Sequence, residues 1–392
     1  MPDLEKAQTY MREQAIDGWL LYDFRDSNPV FWYLLGTKQQ TTRRNYLFIP
    51  ARGEARLLAH GLDKLLFDGL GVAVELYTSW QEMRNWLQQA LDACNRVAME
   101  YSPGGAIPMH SWVDAGTVEL VRGLGAEVVS SANLFQVAAA SWSAEAVASH
   151  QRACREVAEA KDAAFDFIAQ KIRAGEPVNE YEAQLFIRDQ FEQRGMITDH
   201  GPIVAVNAHS GDPHFEPSAD EHDPIRPGDW VLIDLWAKFP GDQDVFSDIT
   251  WVGYVGDRVP ERHQLVYDIV AGARDAVVDG IQQAWRDGVT MQGWQADMLA
   301  RDHIAEAGFG DYFVHRTGHS MGPGPTAHAL GVNLDNLETH DTREILPGVG
   351  FSVEPGIYLP EFGVRSEIDV YVDPTEGPVV TTPIQREVIL IG

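Results

Sequence analysis

Residues 351–372 read FSVEPGIYLPEFGVRSEIDVYV, and this stretch places charged side chains where a buried strand would carry apolar ones. Glu354 interrupts an apolar run just before a Pro-Gly turn. Its neighbours Phe351, Val353 and Ile357 leave it no obvious solvent face. We expect this carboxylate to be paired, protonated or bound to a metal ion, because an isolated buried charge is strongly unfavourable.

The second half of the same stretch has the pattern of another strand. Arg365, Glu367 and Asp369 alternate along it and therefore share one face. A strand on the protein surface would show the same alternation. This feature alone therefore leaves both a solvated face and a functional face open.

Two acidic residues earlier in the chain lie in similar surroundings. Residues 227–239, PGDWVLIDLWAKF, place Asp234 in an apolar strand, and residues 246–252, FSDITWV, place Asp248 in the next one. The Pro-Gly-Asp between them indicates a hairpin-like return that brings the two carboxylates together. A single Asp in a strand is usually structural, but two buried carboxylates repel unless one is protonated or a cation lies between them.

Histidines occur in two contexts rich in Gly and Pro. Residues 313–322, FVHRTGHSMG, carry His315 and His319, the next loop carries His328, and GDPHFEP carries His214. An HxxxH pair on a helix would bind zinc, but the Thr-Gly inside this one favours a strand or loop. Taken singly, each histidine has the ordinary alternative of a surface or hydrogen-bonded core residue.

Length and composition limit the function classes. The 392 residues, of which 45% are hydrophobic and 22% charged, predict a globular protein of two domains. The net charge of -28 disfavours nucleic acid and membrane partners, since both are negatively charged. Cys94 and Cys154 fit a reducing compartment and no thiolate metal site. A polar amino terminus and the lack of an apolar run of about 18 residues favour a cytoplasmic protein.

The pattern of strands and helices divides the chain near Ser141. Residues 1–140 alternate short apolar runs, such as DGWLLYDF, NYLFIPA and RVAMEY, with helical stretches. A long amphipathic helix then begins, with Ser141 or Ser143 as its cap. The sequence therefore predicts an α/β (α+β) protein with one domain at residues 1–140 and another at residues 141–392.

Six segments, taken in order, resemble those of the pita-bread metallopeptidases: PHF, LIDLWA, FSDIT, HRTGHSMG, SVEPGIY and GVRSEIDVYV. The resemblance runs from about Ser141 to the end and implies a pita-bread catalytic domain. It also implies two divalent metal ions per subunit, held by Asp234, Asp248, His319, Glu354 and Glu367. An oxygen-rich set of this kind suits Mn²⁺ as the first candidate, with Co²⁺ or Zn²⁺ as alternatives.

Residues 1–140, with IDGWLLYD and NPVFWYLLG, resemble the creatinase-like amino-terminal domain of the Xaa-Pro aminopeptidase and prolidase branch. That branch implies a metal-dependent exopeptidase, a Xaa-Pro aminopeptidase, that cleaves proline-containing peptides between the first residue and proline. A Xaa-Pro dipeptidase (prolidase) and a dipeptidase of relaxed specificity are the alternatives. More remote ones are a creatinase-like amidinohydrolase and a non-catalytic peptide-binding protein. The resemblance also implies a homodimer.

The resemblance further implies roles for residues near the substrate. Glu354 would receive the proton of the attacking water, and His214 and His328 would donate hydrogen bonds to the substrate carbonyl. His315 would line the substrate pocket. Trp236 stands where family members commonly have glycine, a departure that concerns the pocket rather than the metal ligands.

Two arginines receive expected roles. By the resemblance, Arg365 would orient Glu367 and Asp369. A dipeptidase also needs a cation for the carboxylate of its substrate, and Arg343, in LETHDTREILPG, is the candidate. The alternative for Arg343 is an ordinary surface arginine.

Overall fold

The computed structural model describes residues 4–392. The chain forms two compact units, Met1–Ala139 and Ala140–Gly392. Within residues 4–392, no helix combines the length and apolar character that a membrane span requires.

A six-stranded sheet lies at the centre of the amino-terminal unit. Its strands are β1 (Gly18–Phe24), β2 (Arg44–Pro50), β3 (Arg56–His60), β4 (Ala73–Tyr77), β5 (Arg96–Met99) and β6 (Glu127–Ser130). The strand order is β4-β3-β2-β1-β5-β6, with β1 antiparallel to β2 and parallel to β5. The helices are α1 (Leu4–Glu13), α2 (Pro29–Leu35), α3 (Trp80–Leu91), α4 (Ala115–Gly123) and α5 (Ala132–Phe135).

Burial on both faces explains the nearly continuous apolar run of β1. Trp19 and Leu21 pack into one hydrophobic cluster of this unit, whereas Leu20 and Tyr22 pack into another. Successive side chains of a strand point to opposite faces, so both clusters draw on the same short segment.

The carboxy-terminal unit contains ten strands and four long helices. The strands are β7 (Ile203–Val206), β8 (Trp230–Ala237), β9 (Ser247–Val255), β10 (Ser320–Met321), β11 (Gly350–Val353), β12 (Gly356–Tyr358), β13 (Gly363–Arg365), β14 (Ile368–Asp373), β15 (Gly377–Val380) and β16 (Ile389–Ile391). They form the sheets β16-β9-β8-β7 and β10-β11-β14-β15 and the two-stranded ribbon β12-β13. The helices are α6 (Ala144–Ala174), α7 (Glu180–Gln193), α8 (Glu261–Arg286) and α9 (Gly293–Glu306).

Strand β8 separates two hydrophobic cores by its alternation. Val231 and Ile233 pack with α6 and α7, whereas Trp230 and Leu232 pack with α8 and α9. Asp234 continues the face of Trp230 and Leu232, because residues two apart share a strand face. The alternation therefore directs this carboxylate away from α6 and α7, into the interior between the sheets.

Helix α6 has Ser143 as its N-cap residue, one of the two caps expected from the sequence. The Ser143 side chain accepts a hydrogen bond from the backbone N–H of Ala146 at 3.1 Å. This contact satisfies one of the free N–H groups at the start of a 31-residue helix.

We expect Ser143→Ala to lower the free energy of unfolding by about 1 kcal/mol, because the cap is lost. For a unit of this size the melting temperature should fall by roughly 2–4 °C in a calorimetric scan. Ser143→Asp keeps an acceptor and should melt like the wild type. Ser141→Ala is the matched control, and a larger loss from it than from Ser143→Ala would contradict the assignment of the cap.

Candidate metal centre

Two neighbouring strands bring the first two predicted ligands together. β8 and β9 are antiparallel, with Asp234 opposite Thr250 and Trp236 opposite Asp248. Opposed residues in an antiparallel pair share a face of the sheet, so both carboxylates point to the same side. The hairpin-like return expected from the sequence is thus present.

The other three predicted ligands lie at the ends of strands in the second sheet. His319 directly precedes β10, Glu354 directly follows β11, and Glu367 directly precedes β14. The backbone N–H of Glu367 donates to the carbonyl of Thr250 at 3.2 Å, which joins this sheet to β9. The two sheets therefore meet at the positions that carry these side chains.

The five side chains converge within one cavity wall. His319 Nε2 lies 3.5 Å from Asp248 Oδ2 and 3.7 Å from Glu354 Oε1. One ligand atom each from Asp248, His319 and Glu367 lies within 4.8 Å of the other two. Oδ1 of Asp234 is buried and has no hydrogen-bond partner within residues 4–392. A buried acceptor without a donor, beside converging oxygen and nitrogen atoms, fits a bound cation.

The pKa shifts of the four carboxylates also indicate a site for a cation. Burial, together with the neighbouring carboxylates, raises the pKa of Asp248 and Glu367 well above the ordinary range. Burial also raises the pKa of Asp234, although Arg365 opposes that shift. Burial acts against ionisation of Glu354 too, but the surrounding histidines and arginines outweigh it and lower its pKa. A divalent cation would relieve the repulsion among these groups, so the residues present fit a metal.

Arg365 lies in a network of hydrogen bonds and ion pairs. Its guanidinium donates to Asp234, to the Thr250 hydroxyl at 3.0 Å and to the Tyr358 hydroxyl at 3.0 Å. Glu367 accepts from the Thr250 hydroxyl at 2.8 Å. Arg365 forms ion pairs with Asp234 and, at 4.0 Å, with Glu354, and its link to Glu367 runs through the Thr250 hydroxyl. That Arg365 orients Glu367 and Asp369 therefore stays a prediction.

Asp369 is bound to the start of β9. Its Oδ2 accepts from the Ser247 hydroxyl at 3.1 Å and from the backbone N–H of Asp248 at 3.0 Å. Asp369 thereby fixes the backbone of a predicted ligand rather than reaching the cavity itself.

The histidines expected near the substrate all line one cavity of about 680 Å³. The rings of His328 and His319 are 4.1 Å apart between centroids, and His214 is exposed. Burial, together with the charges of His319 and Arg316, lowers the pKa of His328 to about 4. Burial likewise lowers the pKa of His315 to about 4. Both rings are therefore neutral near pH 7.

The hydrogen bonds of His315 determine which of its nitrogens carries the proton. Arg365 only donates, so the Tyr358 hydroxyl accepts from it and donates to His315 Nε2 at 2.7 Å. His315 Nδ1–H then donates to the carbonyl of Arg316 at 2.7 Å. Burial raises the pKa of Tyr358 to about 12, which keeps this hydroxyl protonated.

Arg343 does not reach the cavity. The residue is 3% exposed, and its guanidinium binds Asp341 at 2.5 Å and the carbonyl of Leu330 at 3.0 Å. It is absent from the residues that line the cavity. The predicted substrate contact is therefore wrong, and so is the alternative of a surface arginine, because Asp341 holds this side chain in the interior.

Several cavity residues received no role in the sequence analysis. Those with ionisable side chains are Asp199, His200, Arg316 and Glu338. Arg316 lies within the HRTGHSMG segment, where a cation between two histidines could have been recognised in the sequence as a candidate site residue. Asp199 lies in a segment without any recognisable motif, and only the fold brings it to the cavity.

A second cluster, formed by His150, Cys154 and Asp369, is also buried. Both ring nitrogens of His150 already have partners, the carbonyl of Phe246 and the hydroxyl of Thr381, each at 2.7 Å. No lone pair of that ring is left for a metal ion, so we assign this cluster a structural role.

The chain belongs to the metallopeptidase family M24, whose sequence model matches residues 152–374. Over 268 residues it is 31% identical to the uncharacterized peptidase YqhT of Bacillus subtilis, a match that covers 67% of this chain and 70% of YqhT. It is 30% identical over 207 residues to the Xaa-Pro dipeptidase of Lactobacillus helveticus, covering 53% of this chain and 51% of that enzyme. The match thus spans about half of the length of the second relative.

The fold is similar to the crystal structure of dipeptidase PepE from Mycobacterium ulcerans, with a TM-score of 0.65 and 23% identity. That similarity covers 99% of this chain and 96% of the PepE chain. The family match and this similarity confirm the mixed α/β architecture and the pita-bread fold expected from the sequence motifs.

If the cluster binds Mn²⁺, adding the ion should raise the melting temperature of chelator-treated protein. A ligand that binds only the folded state stabilises it by RT ln(1 + [L]/Kd), which is about 2.7 kcal/mol when the ligand concentration is 100 Kd. Glu367→Gln should abolish this shift and leave the protein without bound metal in elemental analysis. Glu338→Gln, at an exposed position of the same cavity, is the matched control and should respond like the wild type. An unchanged shift in Glu367→Gln would contradict the assignment.

Proposed function

We propose that the protein is a metal-dependent exopeptidase that hydrolyses the bond between an N-terminal residue and proline. The observation that carries the proposal is the convergence of four carboxylates and one imidazole on a cavity that neutral histidines also line. Two of the similar proteins are named as dipeptidases, one of them as a Xaa-Pro dipeptidase.

The proposed cofactor is a pair of divalent ions, with Mn²⁺ as the first candidate and Co²⁺ or Zn²⁺ as alternatives. The ligands would be Asp234, Asp248, His319, Glu354 and Glu367. This set is rich in hard oxygen donors, and the four carboxylates offer enough atoms to bridge two ions. Such ions, when bound, lower the pKa of water and polarise the substrate carbonyl.

Glu354 is the proposed proton acceptor. The surrounding histidines and arginines lower its pKa, so the group is ionised when water reaches the cavity. Its side chain is 15% exposed, which leaves it accessible to the reacting water. From this position Glu354 takes the proton of the water and passes it to the departing nitrogen of proline.

His328 and His214 are the proposed hydrogen-bond donors to the substrate carbonyl. The neutral imidazole of His328 donates a hydrogen bond without adding charge beside the ligand cluster. Arg365 acts through Asp234, which it holds against repulsion by the other carboxylates. Its bonds to Thr250 and Tyr358 fix the guanidinium in that position.

Proline selectivity has a simple physical basis. The amide nitrogen of proline is part of its ring and carries no hydrogen, and the ring fixes φ. A cavity shaped to this ring can therefore select it. In this cavity Trp236 stands beside Asp248 and donates to Asp199 at 2.6 Å. The indole lines the cavity at that point, and we assign it a part in substrate selection.

The proposal extends to the assembly and the compartment. The resemblance to the family supports a homodimer. The two free cysteines, Cys94 and Cys154, support a reducing compartment such as the cytoplasm.

Hydrolysis of Ala-Pro, Ala-Pro-Ala and Ala-Ala-Ala by chelator-stripped protein, with and without Mn²⁺, tests the proposal. We expect cleavage only with metal, and no cleavage of Ala-Ala-Ala, the peptide that lacks proline. Cleavage of all three would assign a peptidase of relaxed specificity. Failure to cleave any of them with Mn²⁺, Co²⁺ or Zn²⁺ would overturn the proposal.

His328→Ala should lower kcat by roughly 100-fold, the usual cost of one donor to a developing oxyanion. The metal content should stay that of the wild type, because His328 is not among the proposed ligands. His340→Ala, at an exposed histidine bonded to Asn336, is the matched control. An unchanged kcat in His328→Ala would remove this residue from the mechanism.

A further inference from the structure

The cavity contains two side chains with a permanent positive charge, those of Arg316 and Arg365. Arg365 is fully engaged by Asp234, Thr250 and Tyr358. Arg316 is half-buried, and its guanidinium makes no hydrogen bond or ion pair with any of residues 4–392. A free guanidinium in a cavity otherwise rich in carboxylates is available for an anionic group of a ligand.

The backbone that carries Arg316 is held on both sides. Arg301 donates to the carbonyl of His315 at 2.9 Å, and the N–H of Thr317 donates to Asp297 at 2.9 Å. The His315 ring binds the carbonyl of Arg316 itself. The position of the Cα atom is therefore fixed by α9 and by a neighbouring ring, whereas the guanidinium is left without a partner. This is preorganisation for a ligand rather than for the fold.

Arg316 lines the same cavity as the groups that would act on the scissile bond, which are Glu354, His214 and His328. In a dipeptide the free carboxylate lies one residue beyond the scissile carbonyl, a step of about 3.5 Å along the chain. In a longer peptide an uncharged amide occupies that place.

We propose that Arg316 binds the free C-terminal carboxylate of a dipeptide, which makes the protein a dipeptidase rather than an aminopeptidase for longer chains. This inference rests on the proposed function and names the substrate class of the same site. The planar guanidinium binds a carboxylate through two parallel hydrogen bonds, a geometry that lysine does not provide. Arg316 thus takes the role that the sequence analysis had expected of Arg343.

The first test compares Ala-Pro with its C-terminal amide, which has the same scissile bond and no carboxylate. The wild type should prefer the acid. In Arg316→Gln, kcat/KM for Ala-Pro should fall roughly 10- to 100-fold, mainly through KM, which is the usual range for a charged hydrogen bond. The value for the amide should fall much less, because the amide has no carboxylate for Arg316 to bind. Arg316→Lys should restore part of the loss, because it keeps the charge but not the paired geometry.

Arg262→Gln is the matched control, since Arg262 is exposed and bonded to Glu361 on the surface. It should behave like the wild type on both substrates. If Arg316→Gln lowers kcat/KM equally for the acid and the amide, Arg316 acts through its charge on Glu354 and does not bind the carboxylate. That result would overturn the proposal. Unchanged hydrolysis of Ala-Pro in Arg316→Gln would overturn it as well.

Binding without turnover separates this inference from the proposed function. Calorimetric titration of chelator-treated protein with Ala-Pro and with Ala-Pro amide should show tighter binding of the acid, and Arg316→Gln should abolish the difference. That result would hold even if the metal-loaded enzyme cleaved neither peptide, in which case only the proposed function would fail. Equal affinity for acid and amide, or binding of neither, would overturn the role of Arg316.

Discussion

Asp234, Asp248, Glu354 and Glu367 place four carboxylates in one cavity wall, and their mutual repulsion has to be offset for the carboxy-terminal unit to stay folded. The chain itself offsets part of it, through the ion pair between Arg365 and Asp234. The pKa values of Asp248 and Glu367 stay raised, so the Arg365 ion pair leaves part of the repulsion between the carboxylates in place. Protonation or a bound cation must supply the remainder, so folding, metal affinity and pH are coupled in this unit.

The sequence predicted the features that depend on short-range periodicity. Two-residue alternation placed Asp234 and Asp248 on strands, and the turn residues between them indicated a return; both features are present in β8 and β9. Glu354 was expected to lack a solvent face; its apolar neighbours Phe351, Val353 and Ile357 are buried, and its own side chain is 15% exposed. The cap of α6 was narrowed to two serines, and the structure selects Ser143. These features are local, and local patterns fix them.

The partners of long charged side chains were predicted less well. Arg343 binds Asp341, two residues away, and Arg365 binds Asp234, more than a hundred residues away. Neither partner was predicted, because a guanidinium on a flexible stem reaches any acceptor within several ångströms and three-dimensional neighbours decide which one. Arg316 went unnoticed for the opposite reason. A lack of partners becomes visible only when the whole surroundings of a residue are known.

The pairing of β8 with β9 has a consequence for divergence within the family. Eight residue pairs, from Trp230 opposite Tyr254 to Ala237 opposite Ser247, fix which side each carboxylate faces. Inserting a single residue in β8 ahead of Asp234 would turn that side chain over and send it towards α6 and α7. Residues 240–243 are exposed and lie outside the paired region, so chain length can vary there. Insertions and deletions among distant relatives should accumulate in this loop, while the strands tolerate changes of side chain but not of length.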